Sequence, residues 1–102
     1  MVTPKMRVLD TLEPTRMAEL TQPERDYAFR AHFDLVLVET QGFRPVVAVE
    51  LDGATHAQDP LTMARDRLKN SICEKVGLPL LRVRWGDWDA LSTLGVLVRP
   101  LP

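Results

Sequence analysis

Between His32 and Asp52 two strand-length apolar runs are separated by one short turn, and each run carries an acid. His32 to Glu39 alternates Phe33, Leu35 and Leu37 on one face with Asp34, Val36 and Val38 on the other. Both faces are apolar apart from Asp34, which is the pattern of a central, buried strand. Thr40 to Pro45 supplies the turn, and Val46 to Asp52 follows with Val46, Ala48, Glu50 and Asp52 on one face. Two strands this close in sequence pair as an antiparallel hairpin. A hairpin symmetric about Gly42 sets residue i opposite residue 84 − i, so Asp34 faces Glu50. Directly opposed side chains lie ~5 Å apart on one face. Two anions there repel and resist desolvation unless a cation lies between them or one carboxyl keeps its proton. A one-residue slip would separate them, whereas a two-residue slip would not.

Downstream, Asp59-Pro60 is a helix start, with Asp as N-cap and Pro at the first helical position. Leu61, Ala64, Leu68, Ile72 and Val76 recur at helical spacing, Gly77 closes the helix, and Pro79 blocks its continuation. Leu80 to Trp85 then reads as a strand in which Leu81 and Val83 alternate with Arg82 and Arg84 on an exposed face. A strand–helix–strand crossover is right-handed, so this strand runs parallel to Val46–Asp52. Asp87 to Val98 predicts a short closing helix with Trp88, Leu91 and Leu94 as its apolar contacts. Residues 1–30 are the least legible. Met6 to Leu9 predicts a short strand, and Arg16 to Leu20, between Pro14 and Pro23, one or two helical turns. The expected fold is α/β: a mixed sheet with an antiparallel hairpin followed by a strand–helix–strand crossover. One domain spans 1–102, with a poorly defined segment at 1–30, a core at 31–85, and a closing helix and tail at 86–102.

A chain of 102 residues with 45% hydrophobic and 26% charged side chains has the material for one modest core. Charge interrupts every apolar run within a few residues, so no segment reads as a bilayer span and no membrane partner is expected. Cys73 is the single cysteine, which excludes an internal disulfide. Together with the lack of an apolar leader in Met1–Asp10, it predicts a cytoplasmic location. The net charge of −1 hides an asymmetry. Residues 1–59 hold six Lys/Arg against ten Asp/Glu, while residues 60–86 hold six against two. That contrast fits a metal site beside a phosphate-binding surface, and equally two solvated faces of opposite sign.

An oxygen-rich pair such as Asp34 and Glu50 favours Mg²⁺ or Mn²⁺, which retain several waters and use few carboxylates. Asp52 joins Glu50 one pleat further along. Gly53 releases the chain, and His56 follows within reach of the strand end. Asp34, Glu50, Asp52 and His56 are therefore a candidate cluster. The alternatives are a turn cap for Asp34, ordinary Asp-Gly turn chemistry for Asp52, and a plain loop residue for His56.

Four segments, Phe33-Asp34-Leu35-Val36-Leu37, Val49-Glu50-Leu51-Asp52-Gly53-Ala54-Thr55-His56, Arg65-Asp66-Arg67-Leu68-Lys69 and Gly77 to Val83, resemble the PD-(D/E)XK nuclease superfamily. The similarity is to bacterial domains related to the very-short-patch-repair endonuclease, and it covers roughly residues 30 to 85. The resemblance implies a restriction-endonuclease-like fold and a divalent-metal-dependent nuclease. Asp34 matches the first metal-binding aspartate and Glu50 the second acidic ligand, with the Leu51 carbonyl completing the metal set. The lysine expected two residues after the second acid is absent, and Asp52 stands there. Lys69, beside the apolar stripe of the following helix, is the candidate to replace it, its ammonium snorkelling toward the sheet. The bland alternatives are a solvated helix residue and an ion pair with Asp66.

On this resemblance Mg²⁺ (or Mn²⁺) is the cofactor and nucleic acid, foremost DNA, the partner. Lys69 or His56 would orient the attacking water, and Arg65, Arg82 and Arg84 would contact phosphates. Arg65 could instead pair with a carboxylate of the cluster, and Arg82 and Arg84 could instead be edge-strand charges. The N-terminal helix with a glutamate that the resemblance implies is not legible in residues 1–30. That fits a unit of a larger parent protein, and, separately, the resemblance is compatible with a homodimer, since many nucleases of this fold pair to cut both strands. The missing lysine also leaves open a non-catalytic module that binds nucleic acid or another protein.

Overall fold

A computed structural model describes residues 1–52 and 59–84, with the side chains of residues 52 and 84 excluded. Among the described residues four strands form a single sheet in sequential order: β1 (Val2–Arg7), β2 (His32–Val38), β3 (Pro45–Asp52) and β4 (Leu80–Arg84). β1–β2 and β2–β3 are antiparallel and β3–β4 is parallel. The fold is thus a small α/β unit on a mixed sheet, and the crossover into the parallel strand is made by α2 (Pro60–Val76). A second helix, α1 (Gln22–Arg30), precedes β2.

The hairpin keeps the register expected from symmetry about Gly42. Leu35 pairs with Val49, Val36 with Ala48 and Leu37 with Val47, and a one-residue shift follows at Val38, next to the turn. Gly42 and Phe43 both take left-handed φ values in that turn. Side-chain alternation then sorts the core. Val36, Val38 and Ala48 point to the helical side, where they pack with Val8, Leu20, Ala28, Ile72, Cys73 and Leu78. Leu37, Val49 and Val83 form a separate cluster, joined by Leu35, Val47 and Leu51. Phe33 departs from the expected alternation and is fully buried in the helical-side core. There the β1–β2 ladder is interrupted at Lys5, whose φ of +54° breaks the pleat between the Pro4–Leu35 and Met6–Phe33 pairs.

α2 follows the capping signals. The Asp59 carboxylate accepts from the Leu61 N–H at 3.1 Å, and Gly77 closes the helix at φ +73°. Its apolar stripe is buried only in its second half. Ile72 and Cys73 sit in the core, whereas Leu61 is 58% exposed, because the first turns of α2 flank α1 rather than lie on the sheet.

The N-terminal third differs most from expectation. The strand is Val2–Arg7, not Met6–Leu9; it pairs along β2, and Val8–Thr11 turns away as 3₁₀ helix. Pro14–Glu19 is a second 3₁₀ segment. The unforeseen α1 starts in a capping box. The Glu24 N–H donates to the Thr21 hydroxyl at 3.3 Å, and the Thr21 N–H donates to the Glu24 carboxylate at 2.7 Å. No helix among the described residues is long and apolar enough to cross a membrane. The expected closing helix with Trp88, Leu91 and Leu94 lies outside the described residues, as does Trp85.

Candidate functional site

The site grows from the end of the hairpin ladder. The last pair is Leu35–Val49, and beyond it β2 and β3 are joined through a side chain: the Leu51 N–H donates to Asp34 Oδ2 at 2.8 Å. In an antiparallel ladder the N–H and C=O of one residue leave the strand on the same edge. The Leu51 carbonyl is therefore directed to the Asp34 side as well. Asp34 and Glu50 lie one step past the last pair, close enough that each carboxyl shifts the titration of the other.

Both acids are perturbed, in opposite senses. Burial pushes Glu50 up, and the adjacent Asp34 adds to it. Lys69 pulls the other way without cancelling them, so the carboxyl titrates at about 7. Burial also acts to raise Asp34. The contact with Glu50, the Leu51 N–H and the charges of Lys69 and Lys5 outweigh it, and Asp34 ionises below the usual carboxylate range. The pair thus takes up one proton, on Glu50, as pH falls through about 7, while Asp34 stays ionised.

Lys69 comes down from the middle of α2 to form an ion pair with Glu50. Its ammonium also lies 5.8 Å from the centre of the Phe33 ring. Glu50 is 6% exposed and the Lys69 side chain 14%, so this is a largely desolvated contact rather than a surface pair. The carboxylate–lysine juxtaposition is therefore present, with the lysine from the helix instead of the position taken by Asp52. Asp66 does not pair with Lys69. It accepts from Arg82, whose guanidinium also reaches the Asp66 carbonyl and, at 2.9 Å, the side-chain oxygen of Asn70. Arg82 thus faces α2 rather than standing on an exposed strand face. Arg65 is exposed and, among the described residues, pairs with no carboxylate. The side chains of Asp52 and Arg84, and all of His56, lie outside the described residues.

Asp34 and Glu50 are hard oxygen donors side by side, and the Leu51 carbonyl, on the strand edge facing Asp34, is a third of the same kind. That donor set suits Mg²⁺ or Mn²⁺, bound by one or two carboxylates with water and substrate oxygens in the remaining positions. Among the described residues no three His, Cys, Asp or Glu side chains come together as a metal cage.

Two residues near the site escaped the sequence reading. Glu24 of α1, 4% exposed, accepts from Ser71 and, at 2.6 Å, from Lys75, tying α1 to α2. Its signal was Thr21-Gln22-Pro23-Glu24, a capping box with proline in the first turn. Tyr27, one turn further along α1, lines an open groove of about 830 Å³ between the two helices, and Lys69 lines its other wall. One aromatic residue on a helix carries no sequence signal for such a role.

The family described as Protein of unknown function (DUF2726) matches residues 1–95. No curated protein matches the chain, and no solved structure does.

Proposed function

The chain belongs to the DUF2726 family, and from the site at the end of its hairpin we propose that it is a divalent-metal-dependent nuclease of restriction-endonuclease-like fold, acting on phosphodiester bonds of nucleic acid and foremost of DNA. The observation that carries the proposal is the contact of Asp34 with Glu50 at the end of the hairpin, with the Lys69 ammonium on Glu50. Asp34, Glu50 and the Leu51 carbonyl would hold Mg²⁺ or Mn²⁺. When bound, such an ion supplies Lewis acidity toward a phosphate oxygen and acidifies a coordinated water.

The protein's own groups do the rest. Lys69 places positive charge where negative charge grows on the phosphate, and its N–H groups can hold the attacking water. The low dielectric around Glu50 strengthens both effects. Asp52, the last residue of β3, and His56, four positions later in the sequence, are further candidates for orienting water, and Arg65 and Arg84 for contacting the phosphate backbone. Arg82 supports the site from behind, fixing β4 to α2.

Incubation of the full chain with DNA and with RNA, in Mg²⁺ and in Mn²⁺, tests the proposal. Cleavage is expected in the wild type and is expected to vanish in Asp34→Ala and Glu50→Ala. In Lys69→Ala it should fall by about 10²-fold or more, the size of a lost general acid–base or charge-stabilising group. A wild-type chain that cuts neither polymer in either metal overturns it.

The Lys69–Glu50 ion pair also supports a second reading, a non-catalytic module that binds nucleic acid or another protein, because it satisfies Glu50 without a metal. Nucleic-acid binding without cleavage, together with no calorimetric signal for Mn²⁺, would select it.

A further inference from the structure

The groove between α1 and the first turns of α2 ends at Lys69, which lines it and pairs with Glu50. Among the described residues its cations are Arg30, Arg65 and Lys69, the last paired with Glu50, and its one acid is Asp26. Its apolar wall is Leu61, Ala64 and Leu68, the part of the α2 stripe that the core leaves uncovered. Tyr27 is 9% exposed, with its ring packed into the protein. Among the described residues its hydroxyl has no hydrogen-bond partner, yet no fully buried side-chain polar atom is unsatisfied, so the hydroxyl opens to the groove.

We propose that this groove seats a single strand of nucleic acid on its way to the Asp34–Glu50 pair, with Arg30 and Arg65 on phosphates, the Tyr27 hydroxyl as a hydrogen-bond donor, and Leu61, Ala64 and Leu68 against sugar and base. The assignment rests on the nuclease reading for its direction toward the carboxylates and names the substrate class of that site. Charge complementarity selects a polyanion. The apolar wall selects a strand whose bases are unpaired, because a duplex offers only phosphates and sugars to a groove outside it, whereas a free strand offers apolar base faces as well. Tyr27 suits a neutral donor. Burial first, and then the nearby Glu50, raise its pKa above the ordinary phenol value, so it keeps its proton. Arg65 is free of pairing with any described carboxylate, and Arg30 is held by its own helix through Nε to the Asp26 carbonyl at 3.4 Å.

The test uses the full chain in EDTA, with a fluorescent single-stranded oligonucleotide and the same sequence as a blunt duplex, titrated by anisotropy across a range of salt. The single strand is expected to bind at least tenfold tighter than the duplex. Arg30→Ala combined with Arg65→Ala should weaken single-strand binding tenfold or more and reduce the log–log salt slope by about 1.4, the value for two phosphate contacts on a single strand. Tyr27→Phe, which keeps the packed ring, should weaken binding several-fold with the slope unchanged. Arg16→Ala, which alters an exposed pair with Glu19 away from the groove, should leave both readouts alone.

Equal affinity for the duplex, an unchanged salt slope in the double variant, or no binding at all overturns the groove assignment. Cleavage abolished by Asp34→Ala, with groove variants that bind like wild type, removes the groove and leaves nuclease activity standing. Loss of binding in the groove variants, with no cleavage in any metal, does the reverse.

Discussion

At the scale of single residues the consequential group is Glu50, a carboxyl 6% exposed between Asp34 and Lys69. Its folded pKa, about 7, lies above the ordinary 4.5, so the folded state holds a proton that the unfolded chain has released. Protonation therefore favours the fold. The Glu50 contribution is fully present below pH 4.5 and is lost as pH rises through about 7. Glu50→Gln removes this dependence. Its stability relative to wild type is expected to improve steadily between pH 4.5 and about 7 and then level off, as read by urea unfolding at a series of pH values. On the proposed metal reading, the same proton would compete with a cation. Calorimetric Mn²⁺ affinity should fall about tenfold per pH unit below the Glu50 pKa. A pH-independent affinity would place the ion elsewhere. The Asp34–Glu50 juxtaposition was legible because hairpin symmetry is a local property of a short turn. The partner Lys69, nineteen positions after Glu50, was legible only as a candidate from the helical period.

At the scale of elements, α1 is held at its start by the Thr21–Glu24 box and against α2 by Ser71 and Lys75, all converging on the Glu24 carboxylate. Burial acts to raise the Glu24 pKa, but these donors, Lys75 foremost, bring it down to about 2. Its stabilisation is complete above pH 4.5 and is lost as pH falls toward 2. Glu24→Ala should cost about 3 kcal/mol in denaturant unfolding at pH 7, since it strands a cap and two side-chain donors together. Thr21→Ala, which removes one capping acceptor, should cost about 1 kcal/mol. Equal costs would show that the tie to α2 adds nothing. Gly77 closes α2 at φ +73°, with nothing within 4 Å of an added Cβ, so only backbone strain opposes a side chain there. Gly77→Ala is expected to cost about 1 kcal/mol. The cap residues of α2 could be read directly, because Asp-Pro and Gly act through their own backbone. The cap of α1 was written in the chain too, but proline-flanked 3₁₀ segments before it obscured where regular structure begins.

At the scale of the whole molecule, one helical layer on one side of the sheet performs two tasks. The second half of α2 buries Ile72 and Cys73 against β2 and β3, while its first turns stay free beside α1. Ile72 is fully buried at that junction, so Ile72→Ala should cost about 2–5 kcal/mol in the same assay. A cost below 1 kcal/mol would mean that the helix is not seated on the sheet as described. Periodicity, turn chemistry and crossover handedness are properties of short stretches and of chirality, and they alone determined the hairpin and its register, the bounds of α2 and the parallel β4. Tertiary packing alone decided what depends on segments far apart in sequence: the seating of Lys69 on Glu50 instead of Asp66, the turning of Arg82 to α2, and the groove left between two helices. A long charged side chain has several partners of similar energy within reach. Which one it meets is settled only when the apolar faces have fixed where each backbone lies.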